Sequence, residues 1–314
     1  MQVAVIGGAG YIGTHVCFAL LDAGHEITIF DDLSTGCLEN TASFSFVQGS
    51  ILDKQALKEF FSSHSFDAVI HLAAKKAAGE SMRNASLYAE NNISGSINLF
   101  NAAVASGVKK VVFSSSAAVY GSPAYTPMDE EHPRNPENFY GYTKLAIEEV
   151  LKWYAQVYSL NVVCLRYFNA VGYDKRVVGL EREPQNLFPL LFEAVRNKSS
   201  VTVFGDDYDT PDGTCLRDYV DVRDLADAHV KALGVSSCTV NLGTGRAVSV
   251  LEAIEAVNEV YGGPEYTVGE RREGDPAVVF ASNELAFEKL GWRARYTDLQ
   301  EIVLCMGEAY GLKK

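Results

Sequence analysis

A chain of 314 residues with 47% hydrophobic and 21% charged side chains can bury a large core, which excludes the disordered and fibrous classes. Its net charge of -13 argues against nucleic acid or an anionic membrane as partner, and no apolar run approaches the ~20 residues that a bilayer-spanning helix needs. Six cysteines scattered without a C-x-x-C pair suggest neither a disulfide framework nor a zinc site, so no metal is expected.

Residues 2 to 7 contain the apolar run Val3, Ala4, Val5, Ile6 and read as a buried parallel strand. This strand starts almost at Met1, so no signal peptide is expected and a soluble, cytoplasmic protein is. Gly7-Gly8-Ala9-Gly10-Tyr11-Ile12-Gly13 then opens a helix. Glycines at 7, 10 and 13 permit a tight turn, close approach of backbone to a pyrophosphate and close packing of helix on strand, while the helix N-terminus offers N–H groups and a positive dipole end. A second strand, 26 to 30, ends in Asp31, eighteen residues past Gly13, and completes a βαβ unit. A carboxylate there can accept from an adenosine ribose and repels a 2′-phosphate, so NAD is expected rather than NADP. Asp32 shares that role or starts the following loop.

Further strand-like runs at 44 to 48, 67 to 72, 109 to 114 and 161 to 167 alternate with helical patterns, including 84 to 106 and 139 to 158. The fold class is α/β, a Rossmann-type doubly wound parallel sheet. His71 reads as a strand-end histidine rather than a base. Ser116, after the apolar Val111-Val112-Phe113, is placed where ligands bind outside the carboxyl ends of parallel strands. Tyr142, Leu145, Ala146, Val150 and Trp153 recur at helical spacing, which puts Tyr140 and Lys144 on one face one turn apart. A lysine ammonium there is expected to draw the phenol, ordinarily near ~10, toward neutrality for proton exchange with a hydroxyl. From about residue 170 the elements shorten, with Gly-, Pro- and acid-rich connections such as 205 to 213. A smaller α/β C-terminal substrate-binding region is therefore expected: 1–169 for the dinucleotide, with about 215–245 returning to it, and 170–314 mainly for the substrate. Arg217, Arg271 and Arg272 are the cations available there for an anionic small molecule.

Several motifs in order, namely the glycine loop, residues 76 to 81, Asn91-Asn92, 114 to 121, Tyr140 with Lys144, 165 to 169, 212 to 219 and 271 to 275, cover nearly the whole chain. On them the chain resembles the UDP-glucose 4-epimerase family, within the extended short-chain dehydrogenase/reductase group of NAD-dependent epimerases and dehydratases. The resemblance implies a redox-neutral reaction. Tyr140, helped by Ser116 and Lys144, removes the proton from the hydroxyl on carbon 4 of a UDP-hexose while hydride passes to tightly held NAD. The 4-keto sugar then turns over and regains hydride on its opposite face, interconverting UDP-galactose and UDP-glucose. It also implies cofactor contacts from Gly7, Gly10, Tyr11, Ile12, Gly13, Asp31, Asp32, Ser50, Ile51, Leu72, Ala73, Lys76, Asn92, Ser114, Tyr140, Lys144 and Tyr167. Implied substrate contacts are Lys76, Ser116, Tyr140, Asn169, Asn186, Leu187, Phe204, Arg217, Tyr219, Arg272, Asp275 and Val279. A homodimer through the helices of 84 to 106 and 139 to 158 is a further implication.

Four positions depart from the common family pattern. Ser50 stands where an Asp usually meets the adenine, which predicts weaker cofactor retention; Ala118 replaces a frequent Thr; Tyr142 is expected to pack; and Val279 leaves room for an N-acetyl group at carbon 2, so UDP-GalNAc and UDP-GlcNAc are expected as additional substrates. Two enzymatic rivals share the fold. A nucleotide-sugar 4,6-dehydratase needs an adjacent Asp-Glu pair where Ala117-Ala118 stand, whereas the sugar-end residues do not exclude a UDP-glucuronate 4-epimerase. A non-catalytic NAD-binding sensor is disfavoured by the retained Tyr140 and Lys144.

Overall fold

Val3, Ala4, Val5 and Ile6 are without exposed surface in the computed structural model, which describes residues 1–179, 186–272 and 274–313. Strand β1 (Gln2–Ile6) lies inside a seven-stranded parallel sheet, next to its central strand, with β2 (Glu26–Asp31), β3 (Ser45–Gln48), β4 (Ala68–His71), β5 (Lys110–Ser116), β6 (Asn161–Tyr167) and, after the short β7 (Asn169–Val171), β8 (Val201–Phe204), β9 (Leu216–Arg217) and β10 (Tyr219–Asp221), strand β11 (Cys238–Leu242). The order is β11-β6-β5-β4-β1-β2-β3, so the chain runs outward from β1 in one direction and from β4 in the other. A crevice at the carboxyl ends follows from that reversal. The doubly wound sheet is the fold class expected from the alternating pattern. The sheet's two faces carry separate apolar clusters, one around Val3, Val5, Ile29 and Val163, the other around Ala4, Ile6, Phe100 and Val111.

Helix α1 (Tyr11–Asp22) follows β1 directly, and α2 (Lys54–Ser62) starts at Asp53, whose side chain accepts from the N–H groups of Gln55 and Ala56. Two short turns, α3 (Ala78–Ser81) and α4 (Ala85–Tyr88), precede α5 (Gly95–Ala105) and the long α6 (Phe139–Tyr158). The single helix expected over 84 to 106 is interrupted by a π-helical segment, Ala89–Ser94. There the Asn92 amide leaves the helix to donate to Lys75 O at 2.9 Å and to accept from Lys75 N at 2.8 Å.

A second correction concerns α6. Its buried face is Gly141, Thr143, Lys144, Ile147, Glu148 and Leu151. Tyr142, expected to pack, is 50% exposed and stacks only on Phe139, and Trp153 is 68% exposed. The face turned to the sheet holds charged groups that pair inside the protein, while these two aromatic positions look outward. The remaining elements, α7 (Leu187–Asn197), α8 (Val222–Leu233), α9 (Val250–Tyr261), α10 (Glu284–Leu290) and α11 (Leu299–Ala309), build a third cluster around Phe188, Phe192, Ile254 and Val303 or return to the sheet, as α8 does against α1. Strands β12 (Val248–Ser249), β13 (Tyr266–Gly269) and β14 (Val278–Val279) complete small sheets, in which β14 pairs with β9 and places Val279 opposite Arg217. No helix among the described residues is long and apolar enough to cross a membrane.

Candidate functional site

The carboxyl ends of β1, β2, β4, β5 and β6 open on one cavity of about 300 Å³. Gly7, Gly10, Tyr11, Ile12, Gly13, Asp31, Asp32, Ile51, Leu72, Ala73, Lys76, Ser114, Tyr140, Lys144 and Tyr167 all line it. Two expected residues do not. Ser50 turns its hydroxyl to the N–H of Leu52, and Asn92 spends its amide on the Lys75 backbone and on Thr143 Oγ1. Asn92 thus shapes the segment that carries Lys75 and Lys76, and its neighbour Asn91 reaches the cavity wall instead.

The glycine loop is built for a close-fitting ligand. Gly7 has φ +83°, and a Cβ there would lie 2.6 Å from Ala73 N; a Cβ on Gly13 would lie 2.2 Å from Gly7 O. These two glycines let the loop, α1 and the end of β4 touch. Gly10, at the N-cap of α1, is different, because its Cβ would meet only Gly7 O at 3.5 Å, an ordinary contact. Space is left on that side, where the first-turn amides of a helix lack intrahelical acceptors and favour an anion. Asp31 is buried at the end of β2, accepting from Ala9 N at 3.0 Å and Leu33 N at 2.8 Å. Desolvation pushes its carboxyl up and these two N–H groups pull it back. One carboxylate therefore shapes the loop and faces the cavity, and each oxygen keeps a lone pair for a ribose hydroxyl. A dinucleotide pyrophosphate and ribose fit these donors and acceptors.

Ser114, Tyr140 and Lys144 stand at the other end of the cavity, with Ser116 behind them, joined to the site through its hydrogen bond with the Tyr140 phenol rather than as part of the wall. β5 runs through Ser116, which pairs with Tyr167 of β6, so the serine run is strand rather than turn. Tyr140 begins α6, where its N–H donates to Ser81 Oγ at 3.0 Å. Its phenol is pushed up by burial and drawn back by a hydrogen bond with Ser116. The Lys144 ammonium is not turned onto the phenol oxygen. The Lys144 ammonium instead donates to Ser114 O at 2.7 Å and sits 5.8 Å from the centre of the Tyr140 ring. Burial lowers Lys144 itself to about 7, against the opposing pull of Glu148. Tyr167 donates to His229 Nε2 at 2.6 Å, and His229 Nδ1 lies 2.8 Å from the Leu225 carbonyl, which fixes the proton on Nδ1 and the imidazole as neutral. His71 is buried with Nε2 on Ser96 Oγ at 2.8 Å, in keeping with a strand-end histidine.

The expected substrate residues lie on shorter elements. Arg217 donates to Asp275 Oδ1 at 2.6 Å and to Pro276 O at 2.8 Å, not to its neighbours Asp218 and Asp221. Arg272 lies over the Phe204 ring at 3.8 Å, and Arg271 over Tyr208 at 4.1 Å. Asn169 donates to Asp218 O, Asn186 occupies the N-cap of α7, and Leu187 follows it. Tyr219 differs from an open contact residue, since it is buried edge-on against Phe188. Val279 packs with Val119, Tyr120 and Phe168, beside Ala117. Glu273, within the motif that carries Arg272, lies outside the described residues. Among the described residues no group of His, Cys, Asp or Glu is arranged to hold a metal.

Sequence reasoning missed the layer under the serines. Ser115 donates to Glu148, and Arg166 pairs with the same carboxylate, Nη2 to Oε2 at 2.7 Å, with both side chains buried. Arg166 in the otherwise apolar run Val162-Val163-Cys164-Leu165 was the available signal, because a charge in a buried strand needs a partner.

A family model described as "NAD dependent epimerase/dehydratase family" matches residues 3–243. A UDP-glucose 4-epimerase of Halalkalibacterium halodurans is 42% identical over 312 residues, covering 96% of this chain and 93% of the relative. A crystal structure of UDP-glucose 4-epimerase from Brucella ovis in complex with NAD superposes with a TM-score of 0.96 at 39% identity, covering 99% of each chain. The UDP-Glc/GlcNAc 4-epimerase of Campylobacter jejuni gives a TM-score of 0.87 at 35% identity, again over 99% of both.

Proposed function

The chain belongs to the NAD dependent epimerase/dehydratase family, and from that premise we infer that it is an NAD-dependent isomerase interconverting UDP-galactose and UDP-glucose at carbon 4 of the hexose. The observation that carries the reading is the meeting of Tyr140, hydrogen-bonded to Ser116, and Lys144 at one end of the cavity that the glycine loop builds at the other. Bound NAD supplies a reversible hydride acceptor and a fixed positive charge. Tyr140 takes the proton of the carbon-4 hydroxyl and returns it to the 4-keto sugar after the sugar has turned. Ser116 donates to the phenol oxygen as it loses its proton, and Lys144 adds a cation on the same helix face. Burial holds the Tyr140 phenol above its ordinary value and Ser116 pulls it back, so the serine is the neighbour that eases loss of the proton. Gly7, Gly10, Gly13, Asp31 and the walls formed by Ile51, Leu72, Ala73 and Tyr167 hold the dinucleotide. The nucleotide end of the substrate is held by Arg217, Arg272, Phe204, Asn169, Asn186 and Leu187, so binding energy sits far from the reacting carbon and the sugar remains free to turn.

Residues 1–169, with 215–245, carry the cofactor in this reading and 170–314 mainly the UDP-sugar. Exposed Tyr142, Trp153 and Val157 on α6 support pairing of two copies along this helix. Six free cysteines suit the reducing cytoplasm.

Purified protein given UDP-galactose without added NAD is expected to form UDP-glucose, followed by proton NMR of the sugar. No conversion with NAD either absent or supplied would sink the reading. Val279 carries the substrate breadth. UDP-GalNAc is expected to turn over as well, and Val279→Tyr to slow it by about tenfold or more while leaving UDP-galactose within about threefold, the range a steric pocket change supplies. Equal rates on both sugars in the variant would remove the assignment.

A further inference from the structure

Tyr140, Lys144 and Glu148 follow one another at intervals of one turn on the sheet-facing side of α6, yet Glu148 has no place in the chemistry above. Its carboxylate is buried and fully engaged. Oε1 accepts from Ser115 Oγ and from Arg166 Nε at 2.9 Å, and Oε2 from Arg166 Nη2 at 2.7 Å. Arg166 Nη1 continues to Tyr120 OH at 2.7 Å, and Tyr120 donates to Asn241 Oδ1 at 2.6 Å. One carboxylate thus ties α6 to the end of β5 and to β6. The bond to β5 falls on Ser115, between the serine that receives the Lys144 ammonium and the serine that meets the Tyr140 phenol.

We propose that Glu148 is a positioning residue of the reaction, whose buried carboxylate clamps α6 onto the Ser114-Ser115-Ser116 strand end and holds Lys144 in its charged form. The inference rests on the roles given above to Tyr140 and Lys144. Geometry supplies the clamp, since a buried carboxylate fixed by a bidentate arginine and a hydroxyl has little freedom to move. Electrostatics supplies the second part. Desolvation drives Lys144 down to about 7, and Glu148 is the charge that opposes it. The other titratable groups around the pair do not replace that charge. His71 on β4 is pushed by burial to about 3 and stays neutral, Cys164 on β6 is raised by burial and by Glu148 itself, and Arg166 is a cation. An amine is charged below its pKa, so losing the carboxylate moves the protonated range of Lys144 to lower pH.

The test uses the full-length enzyme with Glu148→Gln and with the double variant Glu148→Gln/Arg166→Met. The single change strands a buried arginine and is prone to unfold, whereas replacing both charges keeps the interior neutral. Lysine labelled with 13C at Cε reports the titration by NMR, with the Lys144 resonance assigned by its loss in Lys144→Arg. In folded Glu148→Gln, which keeps Arg166, Lys144 is expected to titrate about one unit lower or more, and the alkaline limb of kcat against pH to move with it, a roughly tenfold loss above that limb, at little change in KM; the double variant, which also removes the Arg166 cation, is expected to shift Lys144 less and to lose kcat through the broken clamp. Glu148→Asp, which keeps the charge, is expected to restore most of the Lys144 titration. An unshifted Lys144 in folded Glu148→Gln, or a folded double variant with wild-type kcat, overturns the proposal. An inactive wild type whose Lys144 still shifts overturns the epimerase reading alone.

Discussion

Tyr140→Phe is expected to lower kcat for UDP-galactose by about a thousandfold while KM stays within about threefold, the signature of losing a proton-transfer group that does not bind the ground state. The ring keeps its place at the start of α6, where the anchoring bond is the backbone N–H of Tyr140 to Ser81 Oγ, so the fold gives no reason for a secondary loss. The variant should also lose the rise of kcat with pH that reports the phenol. Burial places the phenol above its ordinary value, with Ser116 pulling the other way. A Tyr140→Phe enzyme with more than about a tenth of wild-type turnover, in single-turnover and steady-state assays alike, would falsify the assignment.

Gly13→Ala has the second large effect and separates two kinds of glycine in one loop. The added methyl would sit 2.2 Å from Gly7 O and 2.8 Å from Gly8 Cα, both backbone atoms that cannot rotate aside. About 1–3 kcal/mol of stability is expected to be lost, seen as a lower Tm. The protein should also purify with NAD affinity weakened by about a hundredfold, roughly 2.7 kcal/mol, because helix α1 is displaced from the strand that aims it. Gly10→Ala is the control. Its methyl meets only Gly7 O at 3.5 Å, so Tm should stay while cofactor retention falls. If Gly10→Ala retains NAD as the wild type does, the pyrophosphate does not approach the loop there.

The sheet was legible from its apolar runs, because a parallel strand buried on both faces needs nothing beyond local sequence: Val3 to Ile6 and Val111 to Phe113 declare themselves. The glycine loop was legible for a similar reason, since its steric demands fall within seven consecutive residues. In helix α6 the expectation that Tyr142 packs failed. Tyr142 and Trp153 look like core by hydrophobicity, but the buried face is Lys144 and Glu148, whose burial depends on Arg166, eighteen residues beyond Glu148, and on Ser115. The protonation of the site was illegible in the same way. Spacing places Lys144 one turn from Tyr140, but only the packed structure shows that its ammonium turns to the Ser114 carbonyl. Ser50 and Asn92 were misplaced because a side chain's direction is set by its nearest backbone partners, Leu52 and Lys75.

Strand β11 comes late in the chain yet pairs with β6 up to its carboxyl end, from Cys238 opposite Val163 to Leu242 opposite Tyr167. During synthesis, then, the first six strands emerge with β6 as a bare edge, and Tyr167 waits for His229 to receive its hydroxyl. The Tyr167 wall of the cavity gains its partner only when His229, 62 residues later, has left the ribosome. A nascent chain of this enzyme therefore completes the backing of its dinucleotide cavity well after the last of the strands that open on it.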